Sequence, residues 1–508
     1  MKLKFKEIIF AAGSGILTAL SFPKFSLFFF AWISLIPLLF VLLKKNLKQA
    51  FFLGFIAGFF YYALLIYWIP SVPTHYGNVP YFLSFLIFIL FITILSVFWA
   101  TFSSLFSFFD SFSSRLSLIL APFIWISMEY ILTYFLTGFP WCLLGYSQYK
   151  NLYLIQTSSI TGVYGISFII FLFNSMFVLS IREKKKNPFF IVLGLILLVH
   201  LYGFYVLKNP IEKSNSFSGG IIQGNVPSEI NWQELSSVEI LDIFHKHLSL
   251  TRKASSQGAQ LIVWPEFTVP LCFSCPESIQ DYFKQKLIQL TREEDISILI
   301  GSIETEKKEN KTNFYNSALL ISKEGVQSNY AKIHLVPFGE YVPFKKLLFF
   351  VEKISHAIGE LAPGEKITLH KFKNFKFASP ICYEIIFPDL VRKFVNQGAN
   401  FLVTITNDGW YGRSSAPYQH FSMSVFRAVE NRRYLLRAGT TGISGIIDPY
   451  GRILSQSKLM TTTYLVNDIY PLNEKSFYTK YGNWLLLICL IIIFFSTIYL
   501  ILKKLSKK

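Results

Sequence analysis

Residues 376–388 read KFASPICYEIIFP. A run of strand length, 376–381, leads into Cys382, and helical character follows from about residue 387. A strand that turns into a helix at a cysteine exposes the thiol and aims the helix's first N–H groups at it, which favours negative charge on sulfur. A free thiol titrates near pH ~8.5, so a cation must stand close by to make it a thiolate at neutral pH. Taken alone, Cys382 reads equally well as a small buried hydrophobe.

Around this segment the pattern is α/β. Short apolar runs at 219–223, 260–264, 297–301, 317–322, 376–381, 400–405 and 443–447 predict strands. Polar, helix-periodic stretches at 233–256, 277–294, 387–397 and 419–437 alternate with them. Two further segments end a strand or open a loop with a reactive group. In LIVWPEF, 261–267, four apolar residues lead to Pro265 and Glu266. A carboxylate at the mouth of a buried strand has a raised pKa and can act as a general base. In YAKIHLVPFGEYVP, 330–343, Lys332 and Glu340 flank an apolar loop. An ammonium there can hold a thiolate and then stabilise an oxyanion. A surface Glu and a solvated Lys are the ordinary readings of these residues one at a time, and His334 reads as a structural hydrogen-bonding histidine.

The α/β region lies within a membrane protein. Of 508 residues, 52% are hydrophobic, 54 are Phe, and only 15% are charged; the mean hydropathy is +0.44. Apolar stretches near 8–22, 26–43, 51–70, 81–109, 116–137, 158–181, 189–207 and 484–502 predict eight spans. The N-terminus resembles a signal peptide, but no small-residue cleavage site follows and further spans come at once, so it is expected to remain as an anchor. One side of the alternating loops carries Lys2, Lys4, Lys6, Lys44, Lys45, Lys48, Arg115, Arg182, Lys184–Lys186 and the lysines after 502, whereas the other short loops carry Lys24 and Lys150. The rich side is cytoplasmic. The expected domains are a seven-helix membrane part at 1–208, an extracytoplasmic catalytic part at 209–482, and a last span with a basic tail at 483–508. The net charge of +18 is thereby assigned to membrane topology and not to nucleic-acid binding.

Five cysteines, Cys142, Cys272, Cys275, Cys382 and Cys489, leave at least one thiol outside any intramolecular disulfide. Cys272 and Cys275 form a lone C-x-x-C without further zinc ligands at suitable spacing, so no metal is expected. A disulfide there is compatible with a location outside the cytoplasm. Glu129, inside the fifth expected span, is costly unless paired, hydrogen-bonded or facing water. It reads as a packed, hydrogen-bonded glutamate or as a contact to a lipid headgroup.

Glu266, Lys332 and Cys382, in this chain order and each at a strand end, resemble the nitrilase superfamily. The surrounding spans point to one branch, the apolipoprotein N-acyltransferases. GFPWCLLGYSQYKNLYLIQTSSITGVYGISF at 138–168, TNDGWYG at 406–412 and RAVENRRYLLRAGTTGIS at 427–444 also resemble that family. The resemblance implies a four-layer α-β-β-α sandwich inserted between the seventh and eighth of eight membrane helices. It implies Glu266 as base, Lys332 as oxyanion-stabilising cation and Cys382 as nucleophile. Glu340 resembles an additional essential carboxylate. Tyr383, Glu384, Trp232 and Asn316 resemble residues that line or support the site. No cofactor is implied. The implied reaction moves an acyl chain from a phospholipid, expected to be phosphatidylethanolamine, to the amine of a diacylglyceryl-cysteine at the N-terminus of an apolipoprotein in the bacterial inner membrane, with the catalytic part periplasmic. An apolar segment, Phe344 to Ile354, is expected to dip into the bilayer surface and gate the acyl chain. The competing readings are a membrane-tethered amide or nitrile hydrolase and a transporter or receptor with an outer domain.

Overall fold

The short apolar runs of the central region fold as two six-stranded sheets. The computed structural model describes residues 3–211, 215–227, 235–269, 272–275, 278–308, 311–343 and 360–506. Its strands are β1 (Phe217–Gln223), β2 (Leu261–Val263), β3 (Ser297–Lys308), β4 (Lys311–Ser322), β5 (Gly325–Ala331), β6 (His370–Phe372), β7 (Phe375–Ala378), β8 (Phe401–Thr406), β9 (Leu435–Gly439), β10 (Gly445–Ile447), β11 (Ile453–Gln456) and β12 (Thr463–Ile469). The sheet orders are β12-β1-β2-β3-β4-β5 and β11-β10-β9-β8-β7-β6. β1, β2 and β3 are parallel, as are β7, β8 and β9, and the outer strands are antiparallel.

Alternation along the strands builds the layers. Ile222, Ile262, Ile298, Ile300, Leu319 and Ile321 share one buried cluster with Phe244 and Leu248 of helix Ser237–Ser256 and Phe283 and Leu287 of helix Ser278–Glu293. Their neighbours Ile221, Leu261, Val263 and Leu299 are also fully buried. Successive side chains point to opposite faces, so this second set lies on the face towards the other sheet. There Phe217 of β1 meets the rings of Phe372 and Phe401 at 4.9 and 5.1 Å. Helix Ala416–Asn431 packs on β9, with Pro388–Asn396 beside it. The result is the expected α-β-β-α sandwich. With both sheet faces covered, the strands read as continuous apolar runs.

One expected helix is corrected. The stretch 419–437 is helical only to Asn431; Arg432 adopts a left-handed φ of +52° that ends the helix, and Leu435–Gly439 becomes β9. Strands β5, β6, β11 and β12 are additions. They are short, polar or exposed on one side, so they lack the apolar run that marks the central strands. The expected linker 470–483 contains a short helix, Phe477–Tyr481.

The chain divides into two compact units: residues 1–70, 80–210 and 481–508, and residues 71–79 with 211–480. In the first unit, six helices among the described residues are long and apolar enough to cross a membrane: Leu47–Leu65, Tyr81–Asp110, Ser114–Tyr134, Val163–Glu183, Asn187–Lys208 and Trp484–Leu505. Phe5–Leu20 has 16 residues, and the apolar stretch Phe28–Leu42 is broken into a 3-10 turn and a seven-residue helix. Small residues let these helices approach closely. A Cβ on Gly54 would lie 2.2 Å from Oγ of Ser103. Glu129 is buried, and its Oε1 accepts hydrogen bonds from the Trp125 indole at 3.0 Å and the Leu144 amide at 2.7 Å.

Candidate active site

The carboxyl ends of β2, β5, β7 and β8 bring the chemistry-bearing side chains together. Ligand sites in α/β sheets form at such ends, where loops diverge from a rigid strand. Glu266 follows β2 by three residues, Lys332 follows β5 directly, and Cys382 opens the 3-10 turn Cys382–Ile386 after β7. All three are nearly or fully buried. β3 can run beside Glu266 because residue 301 is glycine: a Cβ there would sit 2.8 Å from the Glu266 Cα.

Lys332 stands between two carboxylates. Its Nζ is 2.8 Å from Oε1 of Glu340 and 3.7 Å from Oε1 of Glu266. Asn316 ties the two carboxylates together, its Nδ2 donating to Glu266 at 2.7 Å and Glu340 at 2.8 Å. The second Glu266 oxygen accepts the Asn407 amide at 2.8 Å, and the second Glu340 oxygen accepts the Val336 amide at 2.7 Å. Burial works against the Lys332 ammonium, but Glu340 and Glu266 together outweigh it and hold its pKa above the ordinary lysine value. The lysine is therefore a fixed cation. Burial raises the Glu266 pKa, Lys332 opposes the rise, and Glu340 adds to it.

Cys382 has a left-handed φ of +49°, unusual for a residue with a side chain. Its thiol interacts with the Glu266 carboxylate, and the Thr406 hydroxyl lies 3.2 Å from Sγ. Burial pushes the thiol pKa up, Glu266 pushes it further, and Lys332 pulls it down. The resting sulfur is thus a thiol with a carboxylate beside it to accept its proton.

Glu384 sits behind the nucleophile rather than beside it. Oε1 accepts from the Tyr330 hydroxyl at 2.7 Å and from the amides of Ile333 and His334 at 2.8 and 3.0 Å, and Oε2 accepts from the Ile381 amide at 2.7 Å. One carboxylate thus fastens the loop carrying Lys332 to the turn carrying Cys382. Glu384→Ala leaves these donors buried without their acceptor and is expected to cost about 4 kcal/mol of stability, read as a lowered unfolding midpoint in detergent micelles. Tyr383 packs against Phe387 and His334, with ring centroids 5.2 and 5.8 Å away. Of the expected site residues, Glu266, Lys332, Cys382, Glu340 and Asn316 come together here, Glu384 and Tyr383 lie in the turn behind the sulfur, and Trp232 and the segment Phe344 to Ile354 lie outside the described residues.

Sequence reasoning passed over a second buried group behind Cys382. Asp408 accepts from Arg437 at 2.6 Å, His420 at 2.8 Å and Thr406 at 3.0 Å, and His420 Nε2 lies 3.2 Å from the Cys382 carbonyl. Asp408 and Arg437 fall inside TNDGWYG and RAVENRRYLLRAGTTGIS, but only the fold brings them together. Residues 71–79 also join this unit: Tyr76 donates to the Gly409 carbonyl at 3.1 Å and sets its ring edge-on to Trp410 at 4.3 Å. Cys272 and Cys275, left open above, form a disulfide in the loop after Glu266. Among the described residues no group of His, Cys, Asp or Glu could hold a metal ion.

A buried thiol, carboxylate and ammonium at the strand ends of an α-β-β-α sandwich define the class as that of the nitrilase superfamily. The profile of carbon-nitrogen hydrolases matches residues 226–472, and that of the apolipoprotein N-acyltransferase N-terminal domain matches residues 14–176. The chain belongs to the apolipoprotein N-acyltransferase family. It is 39% identical to the apolipoprotein N-acyltransferase of Geobacter metallireducens over 94% of this chain and 92% of that one. It is 32% identical to that of Wigglesworthia glossinidia brevipalpis over 98% and 99%. Among solved structures, an amidase of the nitrilase superfamily from Nesterenkonia AN1 aligns with 53% of this chain and 95% of its own, at 22% identity and a TM-score of 0.38.

Proposed function

We propose that this protein is a membrane acyltransferase that moves a fatty acyl chain from a phospholipid, through a thioester on Cys382, to the α-amino group of the diacylglyceryl-cysteine at the N-terminus of bacterial apolipoproteins. The observation that carries the chemistry is the Cys382 thiol interacting with Glu266, with the Lys332 ammonium 3.7 Å from that carboxylate. Family membership supplies the two substrates.

The reaction runs in two halves. Glu266 takes the thiol proton and Cys382 attacks the ester carbonyl of the phospholipid. The Lys332 ammonium stabilises the tetrahedral oxyanion, a contribution of ~3 kcal/mol for one such donor. The intermediate collapses, the lysophospholipid alkoxide leaves with the proton held by Glu266, and the acyl chain remains on sulfur. The lipoprotein amine then attacks the thioester. Glu266 accepts the amine's proton and returns it to the departing thiolate. Glu340 and Asn316 keep Lys332 and Glu266 in register throughout. A covalent intermediate lets two lipid substrates use one site in turn.

The finer reading takes the sn-1 chain of phosphatidylethanolamine as the donor group and the bacterial inner membrane as the location. Residues 1–208 form a seven-span part in this reading, 209–482 the periplasmic catalytic part and 483–508 the eighth span, with both termini cytoplasmic. The distribution of Lys and Arg over the short loops supports this orientation.

Incubating the protein with labelled phospholipid, followed by mass spectrometry of the Cys382 peptide, is expected to find one acyl chain in thioester linkage. The Cys382→Ser protein is expected to carry no thioester. Addition of a diacylglyceryl-cysteine peptide should discharge the chain onto its amine. Discharge to water at the same rate with and without the peptide would favour the hydrolase reading. Retained biological function in Cys382→Ala would favour a transporter or receptor.

A further inference from the structure

The Thr406 hydroxyl, at the end of β8, stands between two acceptors. Oγ1 is 3.2 Å from Sγ of Cys382 and 3.0 Å from Oδ1 of Asp408, and the residue is fully buried. A hydroxyl has one proton and can serve only one of them at a time. Burial alone would raise the Asp408 pKa, but Arg437 and His420 outweigh it and hold the carboxyl well below the usual carboxylate range. While sulfur is a neutral thiol, the carboxylate is the stronger acceptor and holds the Thr406 proton. When Glu266 removes the thiol proton, sulfur becomes a buried anion and the preference reverses.

We propose that Thr406 is a further catalytic residue, whose hydroxyl turns from Asp408 to Sγ as the thiolate forms and turns back as the new C–S bond takes up the charge. The inference rests on the acyl-transfer reading above. The proton taken by Glu266 is the thiol's own, the Thr406 proton stays on its oxygen, and only its acceptor changes. In the second half, when the amine attacks and the C–S bond breaks, the hydroxyl turns to the leaving thiolate again. Arg437 and Asp408 are positioning residues: they keep a charged resting acceptor beside the rotor without touching substrate. The groups facing Cys382 are Glu266 after β2, Lys332 after β5, Asp408 and Tyr411 after β8, and His420 at its carbonyl. Of these, Lys332 is the cation and comes with Glu266 from the first sheet, so Thr406 supplies a donor from the second sheet, on β8 beside the β7 strand that leads into Cys382.

The test uses the full chain in detergent micelles. Alkylation of Cys382 by iodoacetamide, followed at the Cys382 peptide from neutral to alkaline pH, reads the thiolate without any lipid. Thr406→Val is expected to slow alkylation at neutral pH about tenfold and to move the profile to higher pH. The same variant should slow single-turnover thioester formation about ten- to hundredfold. Thr406→Ser should restore most of both rates. Thr404→Val on the same strand is the control, because the buried Thr404 hydroxyl has no hydrogen-bond partner among the described residues; its alkylation profile should match the wild type. A folded Thr406→Val protein alkylated at the wild-type rate would overturn the proposal, as would Thr406→Ser behaving no better than Thr406→Val. If Thr406→Val melts below the assay temperature, the ratio between Thr406→Ser and Thr406→Ala decides in the same way. Failure of the acyl-transfer reading would leave the alkylation pattern intact, so the two failures are distinguishable.

Discussion

Glu266→Gln is expected to slow thioester formation by about a thousandfold or more, at the upper end of what a positioned general base contributes. The reason is the state of the thiol it serves. Burial drives the Cys382 pKa up, and Lys332 only partly offsets this. Hardly any thiolate exists at neutral pH unless a base removes the proton at the moment of attack. The substitution is nearly isosteric. The side-chain carbonyl oxygen of the introduced glutamine can still accept the Asn407 amide, as Oε2 of Glu266 does at 2.8 Å. Its amide group then faces the donors Asn316 and Lys332, so a stability loss of ~1–3 kcal/mol accompanies the change. Single-turnover labelling and the unfolding midpoint separate the two effects. Thioester formation within tenfold of the wild-type rate would remove Glu266 from its role as base.

Lys332→Met is expected to abolish transfer and to destabilise the fold by about 3–5 kcal/mol, the usual result of removing one partner from a buried ion pair. Two carboxylates are at stake. Glu340 loses a partner at 2.8 Å and Glu266 one at 3.7 Å, while Asn316 still holds them close together. Two buried carboxylates at that spacing cannot both stay ionised at low cost. Adding Glu340→Gln to Lys332→Met removes one of the stranded charges. The double variant is therefore expected to recover part of the stability and none of the activity. Recovery of both would mean that Lys332 serves the fold only, and that the oxyanion is stabilised elsewhere.

The chemistry was legible where a reactive residue interrupts an apolar strand. LIVWPEF and KFASPICYEIIFP each place a polar group at the end of a run that otherwise demands burial, and the fold puts Glu266 and Cys382 within reach of one another. Lys332 and Glu340 were legible as a charged pair around an apolar loop. Asn316 was legible only through the family resemblance, and its bridge between Glu266 and Glu340 was not, because a lone Asn in a strand carries no local signal of the two carboxylates it joins.

By itself, the amino-acid sequence determined the α/β character of the central region, the apolar membrane helices around it, and the residues able to do covalent chemistry. Periodicity, run length and residue type are local properties and need no knowledge of what packs where. Only the tertiary structure decided that residues 435–439 leave the helix for a strand, that Glu384 fastens two loops instead of facing the sulfur, and that Asp408, Arg437 and Thr406 converge behind Cys382. Each of these depends on hydrogen bonds between residues far apart in the chain, and such bonds are set by how the sheets stack and not by the neighbours of any one residue.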